Sequence, residues 1–169
     1  MIALCLQQVL GERITQVTLI DPVIVSVLRE SAEDAALLVM ENQYETFMAL
    51  REKPDAAAKF FVDLWSGRGV WEQMGQQSRI LVASLVPTIA REMTAARLDR
   101  STLAWLTELA GPTTIVVGEN TLLPARATTR LLAGARKIKP IEIGGAGHMI
   151  PLTHPHDATA AILESAAAC

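Results

Sequence analysis

Aromatic side chains are scarce in this 169-residue chain: Phe, Trp and Tyr together make up 4% of it. So thin a supply speaks against the base-stacking platforms that hold single-stranded nucleic acid. There is no basic run either. Lys and Arg number 15 against 18 Asp and Glu, a net charge of −3, and binding to a phosphate backbone calls for the opposite balance. No apolar run reaches the roughly 18 residues that span a bilayer, and the apolar start Met1–Leu6 lacks the basic flank of a signal peptide. Neither nucleic acid nor membrane is expected as a partner. Cysteine is limited to Cys5 and Cys169, near opposite ends and at no metal-ligand spacing. That usage reads as reduced and cytoplasmic.

What the chain does have is apolar bulk. It is 50% hydrophobic and 20% charged, enough to bury a core, and its length suits one domain. Read in order, Met1–Leu10 has the pattern of a helix stopped by Gly11, with no N-cap ahead of it. Val17–Ile20 is a short apolar strand ending at Asp21-Pro22. Helices are expected over Ser31–Arg51, Ala56–Trp65, Ser78–Ala95 and Asp99–Leu109, with Ser31, Asp55 and Asp99 or Ser101 as caps. Pro87 should break the third of these near Val86. The dipeptide Gly111-Pro112 is a turn signal. After it come a β-branched strand, Thr113–Val117, a helix, Pro124–Ala135, a strand, Lys137–Ile143, and a last helix, Pro155–Ala167, that begins on a proline. Strand and helix alternate here, which argues for crossovers and a parallel sheet. The expected fold class is therefore α/β, with three parallel strands near 15–20, 113–117 and 137–143 side by side in sequence order.

The segments Thr18-Leu19-Ile20-Asp21-Pro22, Pro112-Thr113-Thr114-Ile115-Val116-Val117-Gly118-Glu119 and Gly145-Ala146-Gly147-His148-Met149, with His154-Pro155, occur in the order found in the C-terminal part of an α/β-hydrolase. The chain resembles that family over its last three strands and final helix, about 65 residues. The helical stretch resembles the family's caps through Phe60, Phe61, Trp65, Gly67, Gly69 and Trp71. The resemblance implies a partial α/β-hydrolase fold: residues 1–22 and 111–169 as the core, and residues 23–110 as a helical cap above the C-terminal ends of the strands. It implies His148 as the general base, since a neutral imidazole near pH 7 can take a proton from a hydroxyl. For the acid it leaves two positions open. The usual site after the second strand holds Glu119-Asn120-Thr121 with no aspartate, so Glu119 is one candidate; Asp21, ending the earlier strand, is the other. A site with no acid is the third outcome.

The family's nucleophile sits in a G-x-S-x-G elbow, and no such pattern occurs here. The resemblance places that elbow, the preceding strands and the main oxyanion-hole amides ahead of residue 1. Ser66 follows Leu64 and Trp65 in a helix and cannot form an elbow; Ser26 reads as a loop hydroxyl. The His-x-His pair His154 and His156, with Asp157 next in sequence, is weak evidence for a metal site and reads as an exposed helix start. Trp65, Trp71 and Trp105 read as cap core, and Met40, Met48, Met74 and Met93 as adaptable packing able to line an apolar pocket. No cofactor or metal is implied. Two functions follow. One is descent from a hydrolase of small apolar esters or related carbonyl compounds, with this chain inactive alone for want of the nucleophile. The other is a non-catalytic binding or oligomerisation module. A homo-oligomer or a complementing N-terminal half is the expected partner, because the resemblance implies that the strand ending at Asp21 pairs with the elbow strand and is left with an open edge without it.

Overall fold

The computed structural model describes residues 6–7, 9–108 and 111–167. Among them, three strands form one parallel sheet in the order β1-β2-β3: β1 Val17–Ile20, β2 Thr113–Gly118 and β3 Ile141–Ile143. Val17 pairs with Thr113 and Ile20 with Val116, while Val116 to Gly118 pair with Ile141 to Ile143. The three parallel strands expected from the sequence are present and in sequence order. β2 forms as it does because its run of Thr, Ile and Val suits a strand covered on both faces.

Each sheet face carries its own apolar layer. On one side Val17 and Ile115 pack with Ile24, Val27, Leu106 and Leu132. These side chains come from α1 (Val25–Glu30), α7 (Leu103–Glu108) and α8 (Leu123–Arg136) and the turns beside them. On the other, Val116 and Ile143 pack with Ala146, Ile150, Ala158 and Ala161, brought by the single turn α9 (Ile150–Thr153) and by α10 (Pro155–Ala167). The result is a sheet between two helical layers.

The remaining helices are α2 (Asp34–Leu50), α3 (Pro54–Ser66), the short α4 (Val70–Gln73), α5 (Gln76–Ser84) and α6 (Val86–Leu98). They enclose a separate core of Phe47, Ala57, Ala58, Val62, Trp71 and Val86. Leu28 of α1 and Ala36 of α2 meet Ala127 of α8 and tie this bundle to the sheet layer. Within 23–110, then, α1 and α7 pack with the sheet and α2–α6 with one another.

Several boundaries differ from expectation. Ser31 does not cap the helix that follows; it ends α1, and Ala32 takes a left-handed φ of +53° before α2 starts at Asp34. Pro54, at the first turn of α3, starts that helix rather than Asp55. The break expected near Val86 is present, at Leu85, and Pro87 lies in the first turn of α6. Asp99 follows the end of α6 and does not cap α7, which starts at Leu103; its carboxylate accepts the hydroxyls of Ser26, at 2.7 Å, and Ser101, at 2.9 Å. β3 is only three residues long: Lys137 terminates α8 at φ +55°, and Pro140 has no N–H to give a ladder. Residues 1–5 and 8 of the expected first helix lie outside the described residues.

Candidate active site

The site begins where β1 stops. Asp21 continues the ladder with its N–H on the Val116 carbonyl at 2.7 Å, then turns the chain with a φ of +48°. Aspartate tolerates this conformation better than most L-residues. The turn buries the residue to 1% exposure, so its carboxylate must find donors inside the protein. It finds three. The Gly118 N–H donates to Oδ1 at 3.1 Å, the Thr121 hydroxyl donates to Oδ2, and His148 Nδ1 lies 2.6 Å from Oδ2. A carboxylate only accepts, so the geometry puts the imidazole proton on Nδ1 and leaves Nε2 as the acceptor of the neutral ring. Of the two candidate acids, Asp21 is thus the one in contact with His148.

His148 reaches that position because of Gly118 and the loop after β3. A side chain at Gly118 would meet the carbonyl oxygens of Ala146 at 2.5 Å and Gly147 at 2.6 Å; only hydrogen fits. Gly145 turns the loop with φ +71°. Three bonds then fix it: Glu119 N–H to the Ile143 carbonyl at 3.0 Å, Asn120 N–H to the Ala146 carbonyl at 2.8 Å, and Gly145 N–H to Glu119 Oε2 at 2.7 Å. Glu119, the other candidate acid, is therefore bonded to the histidine loop rather than to the histidine. Thr121, which stands where the resemblance calls for an acid, instead donates to one.

Beyond the imidazole lies a cavity of about 400 Å³, walled by Val25, Met40, Phe61, Trp65, Met93 and Met149, with Glu41, Tyr44, Glu92, Ala96 and Arg97 also on its lining. His148 itself is part of the wall. Its volume is in the range of small-molecule sites. The wall is organised by α3. Ala57, Ala58 and Val62 point into the bundle core, and the adjoining face carries Phe61 and Trp65 four residues apart. Phe61 meets the core ring of Phe47 edge-on at 5.9 Å, Trp65 follows at 6.4 Å, and the Trp65 ring lies 4.4 Å from that of His148. An unbroken line of rings so connects the bundle core to the imidazole. Trp65, expected in the cap core, instead lines the cavity; the Phe61/Trp65 spacing ahead of Gly67 and Gly69 is the sequence signal that this face looks elsewhere.

The end of α3 is held by Asp63. Its carboxylate accepts the Trp71 N–H at 2.9 Å and pairs with Lys59 at 2.9 Å. The Lys59 ammonium, and secondarily the Trp71 N–H, hold the Asp63 carboxyl below its ordinary value. The reciprocal effect, led by Glu72, raises Lys59. On the cavity lining, Glu41 raises Arg97 above its already high ordinary value.

The other sequence candidates lie elsewhere. Ser66 is the last residue of α3, and Ser26 is buried in α1 with its hydroxyl on Asp99. Trp71 belongs to the bundle core and Trp105 packs at the edge of the sheet layer. His154 Nδ1 is 2.9 Å from the Thr153 hydroxyl, and His156 is exposed. Among the described residues no group of three or more His, Cys, Asp and Glu gathers as a metal site, and no helix is long and apolar enough to cross a membrane. No protein-family model matches the chain, and no curated protein matches it significantly.

Proposed function

We propose that this chain carries the base, the orienting acid and the substrate lid of an α/β-hydrolase-like enzyme for small apolar esters or related carbonyl compounds, and that by itself it is inactive. The observation that carries the reading is the 2.6 Å contact between His148 Nδ1 and buried Asp21, beside a largely apolar cavity lined by α2, α3 and α6. A buried carboxylate that fixes the tautomer of an imidazole leaves the other ring nitrogen free to take a proton from a hydroxyl. In that role His148 is the general base, Asp21 holds it, Glu119 and Thr121 position the two, and the helices α2–α6 within residues 23–110 act as the cap. The chain offers no G-x-S-x-G serine. Base and acid without nucleophile or assigned oxyanion donors give little acyl transfer.

The purified chain, given a chromogenic short-chain ester, should turn over no faster than free imidazole. Turnover abolished by His148→Ala would overturn the inactivity. An in-frame G-x-S-x-G encoded upstream of the Met1 codon supports the hydrolase reading, and a long stretch without one counts against it.

One observation favours a second reading, a non-catalytic binding or self-associating module. Among the described residues β1 pairs with β2 alone, so its other edge presents unpaired backbone groups. Leu152, Ile162 and Leu163 are exposed at 73%, 43% and 63% on α9 and α10, and α10 reaches β1 through the Ser165–Thr18 contact at 3.4 Å. A second copy or a complementing half laid on that edge would pair its backbone groups. Light scattering tests the association itself: a monomer at high concentration excludes self-association.

A further inference from the structure

We propose that the cavity beside His148 selects an uncharged, mainly apolar ligand over the carboxylate anion of the same shape, because the guanidinium on its lining, Arg97, is already neutralised by Glu41. The inference rests on the reading of this cavity as a ligand site and adds the ligand's charge class.

The walls set the apolar part. At the roughly 30 Å³ that a molecule occupies in liquid water, about 400 Å³ has room for around a dozen non-hydrogen atoms. Met40, Met93 and Met149 make the wall adaptable in shape, so shape alone discriminates weakly. Charge does more. Arg97 Nε lies 2.7 Å from Glu41 Oε2, and its guanidinium sits over the Tyr44 ring at 4.9 Å. Both contacts engage the guanidinium before any ligand arrives. Arg29 is placed behind this pair, 4.0 Å from the other Glu41 oxygen and donating to the Arg97 carbonyl at 3.2 Å. Glu45, one helical turn on from Glu41, adds a negative charge that acts on Arg97, and Glu92 on the lining makes no ion pair among the described residues. On the lining itself two carboxylates, Glu41 and Glu92, stand against one guanidinium, Arg97. At the inner end His148 has Asp21 on Nδ1, so even a protonated imidazole adds no net positive charge.

A carboxylate entering here loses hydration and meets no free cation. An amide or ester of the same size meets the same walls without that cost. One surplus unit charge across a largely aqueous path corresponds to roughly a fivefold change in affinity, and desolvation adds to it.

Octanoate and octanamide are nearly isosteric and differ in charge, and neither needs a nucleophile to bind. Titrated calorimetrically into the full chain near neutral pH, octanamide should bind at least about tenfold more tightly than octanoate. Glu41→Gln releases Arg97 and should raise octanoate affinity about fivefold while leaving octanamide unchanged. The pair is partly exposed, so its loss costs little stability. Glu92→Gln, at an exposed position, should raise octanoate affinity about threefold and provides an independent check. Ala96→Trp, which fills the mouth, should abolish binding of both. Equal affinities for the two ligands in the unaltered chain, or a Glu41→Gln effect shared by both, overturns the charge selection while leaving the cavity a ligand site. Binding of neither ligand overturns the cavity reading and this inference with it.

Discussion

Adding one methyl group at Gly118 should unseat the histidine loop. A Cβ built there lies 2.5 Å from the Ala146 carbonyl oxygen, 2.6 Å from that of Gly147 and 2.9 Å from the Ala146 carbonyl carbon. Ordinary contact begins near 3.4 Å, so the loop must retreat by about 0.9 Å. The obstacle is backbone and has no rotamer to change. The retreat works against the bonds from Glu119, Asn120 and Gly145 that pin the loop. Overpacking of this kind costs about 1–3 kcal/mol, and a stretched backbone bond about 1 kcal/mol more. We expect Gly118→Ala to destabilise the fold by about 3 kcal/mol, a fall in Tm of roughly 6–12 °C for a chain of this size. The downfield proton of the His148–Asp21 bond should also shift or vanish in the NMR spectrum. Gly134 is the control. It lies within α8 with nothing within 4 Å of its Cβ position, so Gly134→Ala should raise stability by about 0.5–1 kcal/mol and leave the resonance in place. If Gly118→Ala melts with the unaltered protein and keeps that resonance, the close-approach argument is refuted.

Two further outcomes follow from the same geometry. Asp21→Asn should fold, at a cost of about 1 kcal/mol for exchanging charged for neutral hydrogen bonds. Its oxygen can keep the Gly118 N–H, but its NH2 then faces His148 Nδ1 and makes that nitrogen an acceptor. Ring nitrogen shifts should report a change from the Nδ1–H to the Nε2–H tautomer, and an unchanged tautomer would count against the assigned bond. The Asp63 carboxyl is lowered in the folded chain, chiefly by Lys59, so its contribution is complete above its unfolded pKa and is lost as pH falls through the folded value. The stability gap between the unaltered chain and Asp63→Asn should therefore close on acidification below about pH 4; a gap that is constant from pH 6 down to about pH 2.5 would show that Asp63 does not hold the Trp71 turn through its charge.

Much of the sheet was legible because strands and breakers use local signals. The β-branched run 113–117, the Gly111-Pro112 turn, the break beside Pro87 and the start of α10 at Pro155 all depend on residues within a few positions. The acid was less legible. Asp21 and Glu119 both follow strand ends, and the choice between them rests on a turn at Asp21 that points a carboxylate across to Gly118, Thr121 and His148, far away in sequence. The placement of Glu119 on the Gly145 N–H is likewise a loop-to-loop contact with no periodic signature. Helix ends are less legible, because side-chain type alone does not make a cap: Ser31 and Asp99 are common cap types, yet the first ends a helix and the second serves Ser26 and Ser101. Trp65 was misplaced for a related reason, since a helix with two apolar faces does not declare which one meets the core.

The pairing of Val17 with Thr113 has a consequence for the order in which this chain gains its structure. β2 and β3 close across α8, a loop of a couple of dozen residues, whereas β1 waits for a strand nearly a hundred residues later. Two doublings of loop length add about 1.2 kcal/mol of closure entropy, and the helical bundle between must be gathered before the ends meet. The β2–β3 half carries His148 within its own local topology; Asp21 enters only with the long closure. The imidazole is thus available early and its carboxylate partner last. The His148–Asp21 contact therefore depends on the long closure, and any event that parts β1 from β2 separates the two side chains.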